Sequence, residues 1–140
     1  MKSDTQEHVG INTGLANLCD KILCSNKNIH DVVIIDKHGR PFEKKSKTNF
    51  IHEEKNEMLF MGRALEISMG KDFDDDFGKI NYTFTERDNL SMFSFPMNEF
   101  IILVTSKSNI SPLHVARKIY TLIKSHKSII DQTKKIEITI

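Results

Sequence analysis

The chain has 140 residues, enough for one domain that folds without a disulfide or a metal. Its 20 basic and 19 acidic residues leave a net charge of +1, which gives no general attraction to nucleic acid, anionic membrane or acidic substrates. No apolar run approaches the ~18 residues of a membrane-spanning helix, and Met1–Thr13 lacks the apolar core of a secretory signal.

Residues 1–11 read as a flexible polar arm. Asn12 or Thr13 can cap a first helix running to about Ser25, in which Leu15, Leu18, Cys19, Ile22 and Leu23 make one apolar stripe. Cys19 and Cys24 lie five apart, which is neither a redox CxxC nor a zinc pair, and they read as small reduced residues. A reducing cytoplasm fits that usage.

His30 to Asp36 carries the run Val32-Val33-Ile34-Ile35. The run is β-branched, continuous and short, so it reads as a strand buried on both faces. Asp36-Lys37-His38-Gly39 has the residues of a tight turn, and Arg40 to Lys47 returns as a polar strand. Pro41 places that strand at a sheet edge. Its lysines Lys44, Lys45 and Lys47 read as edge protection rather than a nucleic-acid patch.

His52 to Met69 is the middle helix, closed at Gly70. Met58, Met61, Leu65 and Met69 share one side of its wheel, while Phe60, Ala64 and Ile67 lie nearly opposite and Leu59 between. Asn56, Glu57, Arg63 and Glu66 supply the nearby polar positions and are the candidate partner surface. A helix apolar on two sides is normally buried on two sides. One side covers its own sheet; the other is left for the terminal arm or tail, or for another chain, and the last is the expectation.

Lys71 to Gly78 reads as an acidic loop. Asp72, Asp74 and Asp76 alternate as in an EF-hand, but Phe77 stands where the turn glycine belongs and Thr83 where the bidentate glutamate belongs. No metal is expected there. Lys79 to Glu86 alternates Ile80, Tyr82 and Phe84 with polar residues and reads as a half-buried strand. Leu90 to Phe95 is a further strand, Pro96 to Glu99 a turn, and Phe100 to Val104 a second strand buried on both faces. Ser111-Pro112 opens a last helix to about Lys127, with Val115, Ala116, Ile119, Leu122 and Ile123 as its stripe. Residues 129–140 are a tail, within which Lys134 to Ile140 alternates.

Two continuous apolar strands must lie side by side in the sheet interior. This gives an α+β fold of element order α-ββ-α-βββ-α, with a five-stranded antiparallel sheet of order 2-1-5-4-3. The outer helices share one face and the middle helix covers the other. The edge strand that carries Tyr82, Lys79 to Glu86, has no inward charge and no proline, and open edges pair with other chains. Met58, Met61, Leu65, Met69, Tyr82 and Phe84 are therefore the expected interface of a two-fold homodimer.

This element order, with the segment VVIIDKHGRPFE, resembles the roadblock (dynein light chain) family over about residues 14–128, and is similar to the small roadblock-like proteins of archaea. The resemblance implies a single roadblock-like domain at 12–128 of roadblock/profilin-like fold. It implies a homodimer or heterodimer built through the middle helix and third strand. It also implies a non-catalytic scaffold or regulatory platform for a small GTPase or a larger assembly, with no cofactor.

The residues leave two other function classes. A profilin-like or PAS-like ligand sensor would need a pocket between sheet and helix, a space that the large aliphatics of the central strands should fill. An enzyme would need a nucleophile and base. None is named by spacing: there is no G-x-S-x-G, P-loop or GxGxxG, His52-Glu53-Glu54 lacks the second histidine of HExxH, and the six histidines are scattered, with His126 expected to be satisfied near a helix end.

Overall fold

The computed structural model describes the backbone of residues 2–47 and 53–131, and side chains from Thr13 to Lys47 and from Lys55 to Asp131. Helix α1 spans Lys2–Cys24, strand β1 Ile29–Asp36 and β2 Pro41–Ser46. Helix α2 spans Glu53–Gly70, followed by a 3-10 turn at Lys71–Phe73 and the short helix α3 at Asp74–Phe77. Strands β3 (Thr83–Glu86), β4 (Ser91–Met97) and β5 (Phe100–Ser106) precede helix α4, Pro112–Ser125. The strands form one antiparallel sheet of order β2-β1-β5-β4-β3. This is the order set by placing the two continuous apolar strands side by side.

The register explains why those strands carry no polar alternation. Val32 faces Val104, Val33 faces Leu103, and Ile34 faces Ile102 across the β1–β5 ladder. One face of these strands, with Phe93 and Phe95 of β4, packs against Leu15, Leu18 and Ile22 of α1 and Ala116 and Ile119 of α4. The other face, Val33, Ile35, Ile101 and Leu103, packs against Phe60, Ala64 and Ile67 of α2. Helices thus cover both faces, α1 and α4 on one and α2 on the other.

Within the β1–β2 hairpin, Gly39 N–H donates to the Asp36 carbonyl (3.0 Å), and the Asp36 carboxylate accepts from the His38 and Arg40 amides. Gly39 has φ +84°, and a Cβ there would lie 2.7–2.9 Å from the α2 backbone at Phe60 and Met61. The hairpin tip therefore rests directly under α2, and only glycine fits the space and the left-handed conformation. On the other arm of the hairpin the register shifts between Ile34, which pairs with Glu43, and Ile35, which pairs with Pro41, leaving Phe42 without a partner in the ladder. Its ring lies 5.2 Å from that of Phe100.

Five expectations are corrected. Helix α1 starts at Lys2, not at Asn12 or Thr13; the segment before Thr13 holds no proline to stop it. The acidic segment is helical rather than a loop. Gly70 keeps right-handed helical angles (φ −66°, ψ −23°), and the chain leaves the helix at Gly78, φ +82°, whose amide donates to the Asp74 carbonyl. Strand β3 starts at Thr83, because Ile80 packs toward α2 and Tyr82 toward Phe95 without a ladder between them. Strand β4 runs through Pro96 to Met97, leaving only Asn98 and Glu99 in the turn; Pro96 lies beyond the last β3 partner, so no strand opposes it on that side. Helix α4 ends at Ser125, and Ser111 marks its start without a side-chain cap. The Lys134–Ile140 alternation and His52 lie outside the described residues.

Candidate interaction surface

Helix α2 presents two apolar sides, as its wheel requires. Phe60, Ala64 and Ile67 are buried against the sheet. Met58, Met61, Leu65 and Met69 are 54–80% exposed and form one row on the outward side. The row has no cover among the described residues, and α2 has low amphipathicity for that reason. Gly62 sits within it, and a Cβ there would meet nothing within 4 Å.

Two further exposed aromatics lie beyond Gly70: Phe73 and Phe77 are 56% and 83% exposed and stack with ring centroids 6.0 Å apart. The signal for this pair is the spacing of four between Phe73 and Phe77, which a loop reading hides, because helical spacing has meaning only where the chain is helical. On this helical turn Asp72, Asp74 and Asp76 step by ~200° and cannot converge as alternate loop ligands do. Among the described residues no cluster of three His, Cys, Asp or Glu side chains is placed to hold a metal ion.

Strand β3 is the sheet edge beside this surface. Its side chains divide between the two faces. Phe84 packs on Phe93 (4.8 Å between ring centroids), and Tyr82, just before the strand, packs on Phe95 (5.7 Å). Both are half-buried against the α1–α4 core, so they do not share a face with the methionine row. What β3 offers toward the α2 side is Thr85 and its free backbone edge.

Among the candidate partner residues, Arg63 and Glu66 are paired with each other, Nη1 to Oε2 2.8 Å, and Arg63 Nη1 also donates to Thr85 Oγ1 (3.3 Å). Arg63 thus ties helix to edge strand rather than projecting freely. Glu57 is exposed and Asn56 half-buried. On the opposite edge Lys44, Lys45 and Lys47 lie along or just after β2, and Lys47 Nζ donates to the Asn26 carbonyl (3.2 Å).

The remaining titratable groups have structural settings. His126 Nδ1 lies 2.9 Å from the Leu122 carbonyl and 3.0 Å from Ser125 Oγ, the satisfied helix-end position expected of it. His38 is exposed in its turn. Burial pushes the Cys19 thiol up to about 12, with Glu43 and Asp20 adding to the effect, whereas Cys24 is exposed. Asp31 is buried and accepts from Thr105 Oγ1 at 3.1 Å.

The space between the sheet and its helices is filled by Phe93, Phe95, Leu18, Ile22 and Ile119 on one side. An open cleft of about 320 Å³ lies instead at the C-terminal end of α2, between Ile67, Lys71, Ile80, Pro96, Asn98 and Glu99. Among the described residues no helix is long and apolar enough to cross a membrane.

No protein-family model and no curated protein sequence matches the chain. Solved structures do share its fold. The gliding protein MglB from Thermus thermophilus superposes with a TM-score of 0.68 at 10% identity, over 87% of this chain and 92% of that one. A roadblock/LC7 domain from Streptomyces avermitilis gives 0.64 at 12% identity, over 81% and 94%. An MglB described as having a tetrameric arrangement gives 0.65 at 11% identity, over 83% and 87%. At these identities the likeness is one of fold: the chain has the roadblock-type fold that its element order implies. The archaeal part of the resemblance draws no support from these structures.

Proposed function

We propose that this roadblock-fold chain is a non-catalytic scaffold or regulatory module that works as a homodimer and serves as a platform for a small GTPase. The observation that carries the reading is the second apolar side of α2: Met58, Met61, Leu65 and Met69 lie solvent-exposed in one row beside the open edge of β3. Exposed apolar rows of this kind mark interfaces, and an open strand edge pairs with another chain. Two such features on one side of a small domain suit an isologous contact, in which each copy offers the same patch. Gly62 within the row lets a second helix approach closely. The likeness in fold to roadblock/LC7 and MglB structures, one of them tetrameric, supports assembly of copies. The GTPase part rests on the resemblance to the roadblock family.

Tyr82 and Phe84 support the interface from behind, by holding the β3 edge against Phe95 and Phe93. The direct contacts belong to the α2 row. Cytoplasmic location fits the free thiol of Cys24, though the reading does not depend on it.

Sedimentation equilibrium at micromolar concentration tests the dimer. The wild type is expected at twice the chain mass of 16.1 kDa, and Met61→Lys at one chain mass with an unchanged circular dichroism spectrum. A wild-type monomer, or a Met61→Lys variant that keeps the dimer mass, overturns it. A pull-down with the purified dimer, read by mass spectrometry, tests the platform: recovery of no small GTPase removes that part.

A further inference from the structure

Beyond the apolar row of α2 the chain enters a segment of different character, in which Phe73 and Phe77 are exposed over most of their surface. They stack on one another rather than on the core, and no residue of α3 is buried. A pair of stacked phenylalanines in water is a costly arrangement unless something covers it, since each ring can remove roughly 150–250 Å² of surface from solvent.

The charges around the pair identify the cover. Asp72, Asp74, Asp75 and Asp76 are the sequence neighbours of the two rings, and with Lys71 and Lys79 at its ends the segment stays acidic on balance. A second copy pairing antiparallel along α2 would bring the start of its own α2 to this end. That start reads Glu53, Glu54, Lys55, Asn56, Glu57, which is acidic as well. Full-length self-pairing would set like charges against each other, whereas the charge-poor centre of the row, Met61 and Leu65, has no such obstacle. The acidic segment after α2 therefore differs from the middle of the row in what it can accept.

We propose that Phe73 and Phe77, with their rim of aspartates, form a docking surface for a basic amphipathic helix of a partner protein. The partner helix would seat apolar side chains at i, i+3 or i+4 on the two rings and place lysine or arginine over the aspartates. The rings supply the anchoring area and the rim selects for positive charge. Attraction at the rim speeds encounter and falls with salt. The surface lies at the end of α2, beyond Met69, so it remains available when the centre of the row is paired.

The test uses the full chain and two short labelled peptides, one of leucine and lysine with leucines at helical spacing, the other with glutamate in place of lysine. Fluorescence anisotropy is expected to show saturable binding of the leucine–lysine peptide only, weakening as sodium chloride rises from about 50 to about 300 mM. Phe73→Ser/Phe77→Ser is expected to weaken binding at least about tenfold, and Asp74→Asn/Asp75→Asn/Asp76→Asn to weaken it and remove the salt dependence. All five positions are exposed or half-buried, so both variants should keep the wild-type circular dichroism spectrum. No binding, equal binding of both peptides, or unchanged affinity in either variant overturns the proposal. So does a fall in sedimentation mass of the Phe73→Ser/Phe77→Ser variant below that of the wild type, which would make the occupant a second copy. The Met61→Lys test of the dimer is separate, and either result there leaves this one readable.

Discussion

Arg63 on α2 and Thr85 on β3 are joined by a hydrogen bond of 3.3 Å, the guanidinium donating to the hydroxyl. The same guanidinium pairs with Glu66 one turn on, while its Nε is buried without a hydrogen-bond partner among the described residues. Arg63 is the side chain that links the outward row of α2 to the open sheet edge. Removing its acceptor leaves a partly buried charge less satisfied, and removing the arginine takes the uncompensated Nε with it. Thr85→Val is therefore expected to lower stability by about 1 kcal/mol. Arg63→Met, which keeps the apolar stem, should cost less, and the double variant no more than Thr85→Val. Chemical denaturation of the three variants measures this order; equal single losses that add would contradict it.

Gly39 is the second fixed point of α2. A Cβ at this position meets backbone atoms of Phe60 and Met61, which cannot rotate away, and its φ of +84° strains any other residue. Gly39→Ala should cost about 2–4 kcal/mol, from left-handed strain and overpacking together. Because the clash is with α2, the variant should also perturb the methionine row, seen as altered protection of α2 amides in hydrogen exchange.

Gly62 has the opposite setting. It lies in the middle of α2 with open space where a Cβ would stand. In the isolated chain Gly62→Ala should raise stability by about 0.5–1 kcal/mol through helix propensity. If the row pairs with a second helix at this point, the same change should weaken self-association, so thermal stability of the monomer and the dimer constant should move in opposite directions.

The two cysteines should react differently. At about pH 8, just below the ordinary thiol range, a thiol reagent should modify Cys24 at once and Cys19 only on unfolding. The folded Cys19 thiol is held up to about 12 against 9.0 for the free group. The unfolded chain therefore releases this proton first as pH rises. Below pH 9.0 the group contributes its full stability, and between 9.0 and about 12 that contribution is progressively lost. A Cys19→Ala variant should show a flatter decline of stability across that window, measured by denaturation at a series of pH values.

Much of the fold was legible in the sequence because burial on two faces leaves a pattern that cannot be mistaken for alternation. Val32–Ile35 and Phe100–Val104 are continuous because both faces of β1 and β5 are covered, and two such strands can only be neighbours in the interior. That alone led to the order 2-1-5-4-3. The wheel of α2 likewise separated Phe60, Ala64 and Ile67 from Met58, Met61, Leu65 and Met69, and their burial and exposure follow it.

Long-range packing resolved what local chemistry left degenerate. Gly70 could have turned the chain into a loop, but it stays right-handed and a 3-10 turn and the short helix α3 follow, so Phe73 and Phe77 stack on one another. Tyr82 and Phe84 alternate as a strand should, yet alternation does not say which face is which, and only the ladder with β4 turns them toward α1 and α4. The residues at the centre of the sheet could be read from the chain alone, because their number and pattern admit one arrangement. What sits at the open edge emerged only on folding, because contacts there depend on register, helix direction and the reach of Arg63 to Thr85.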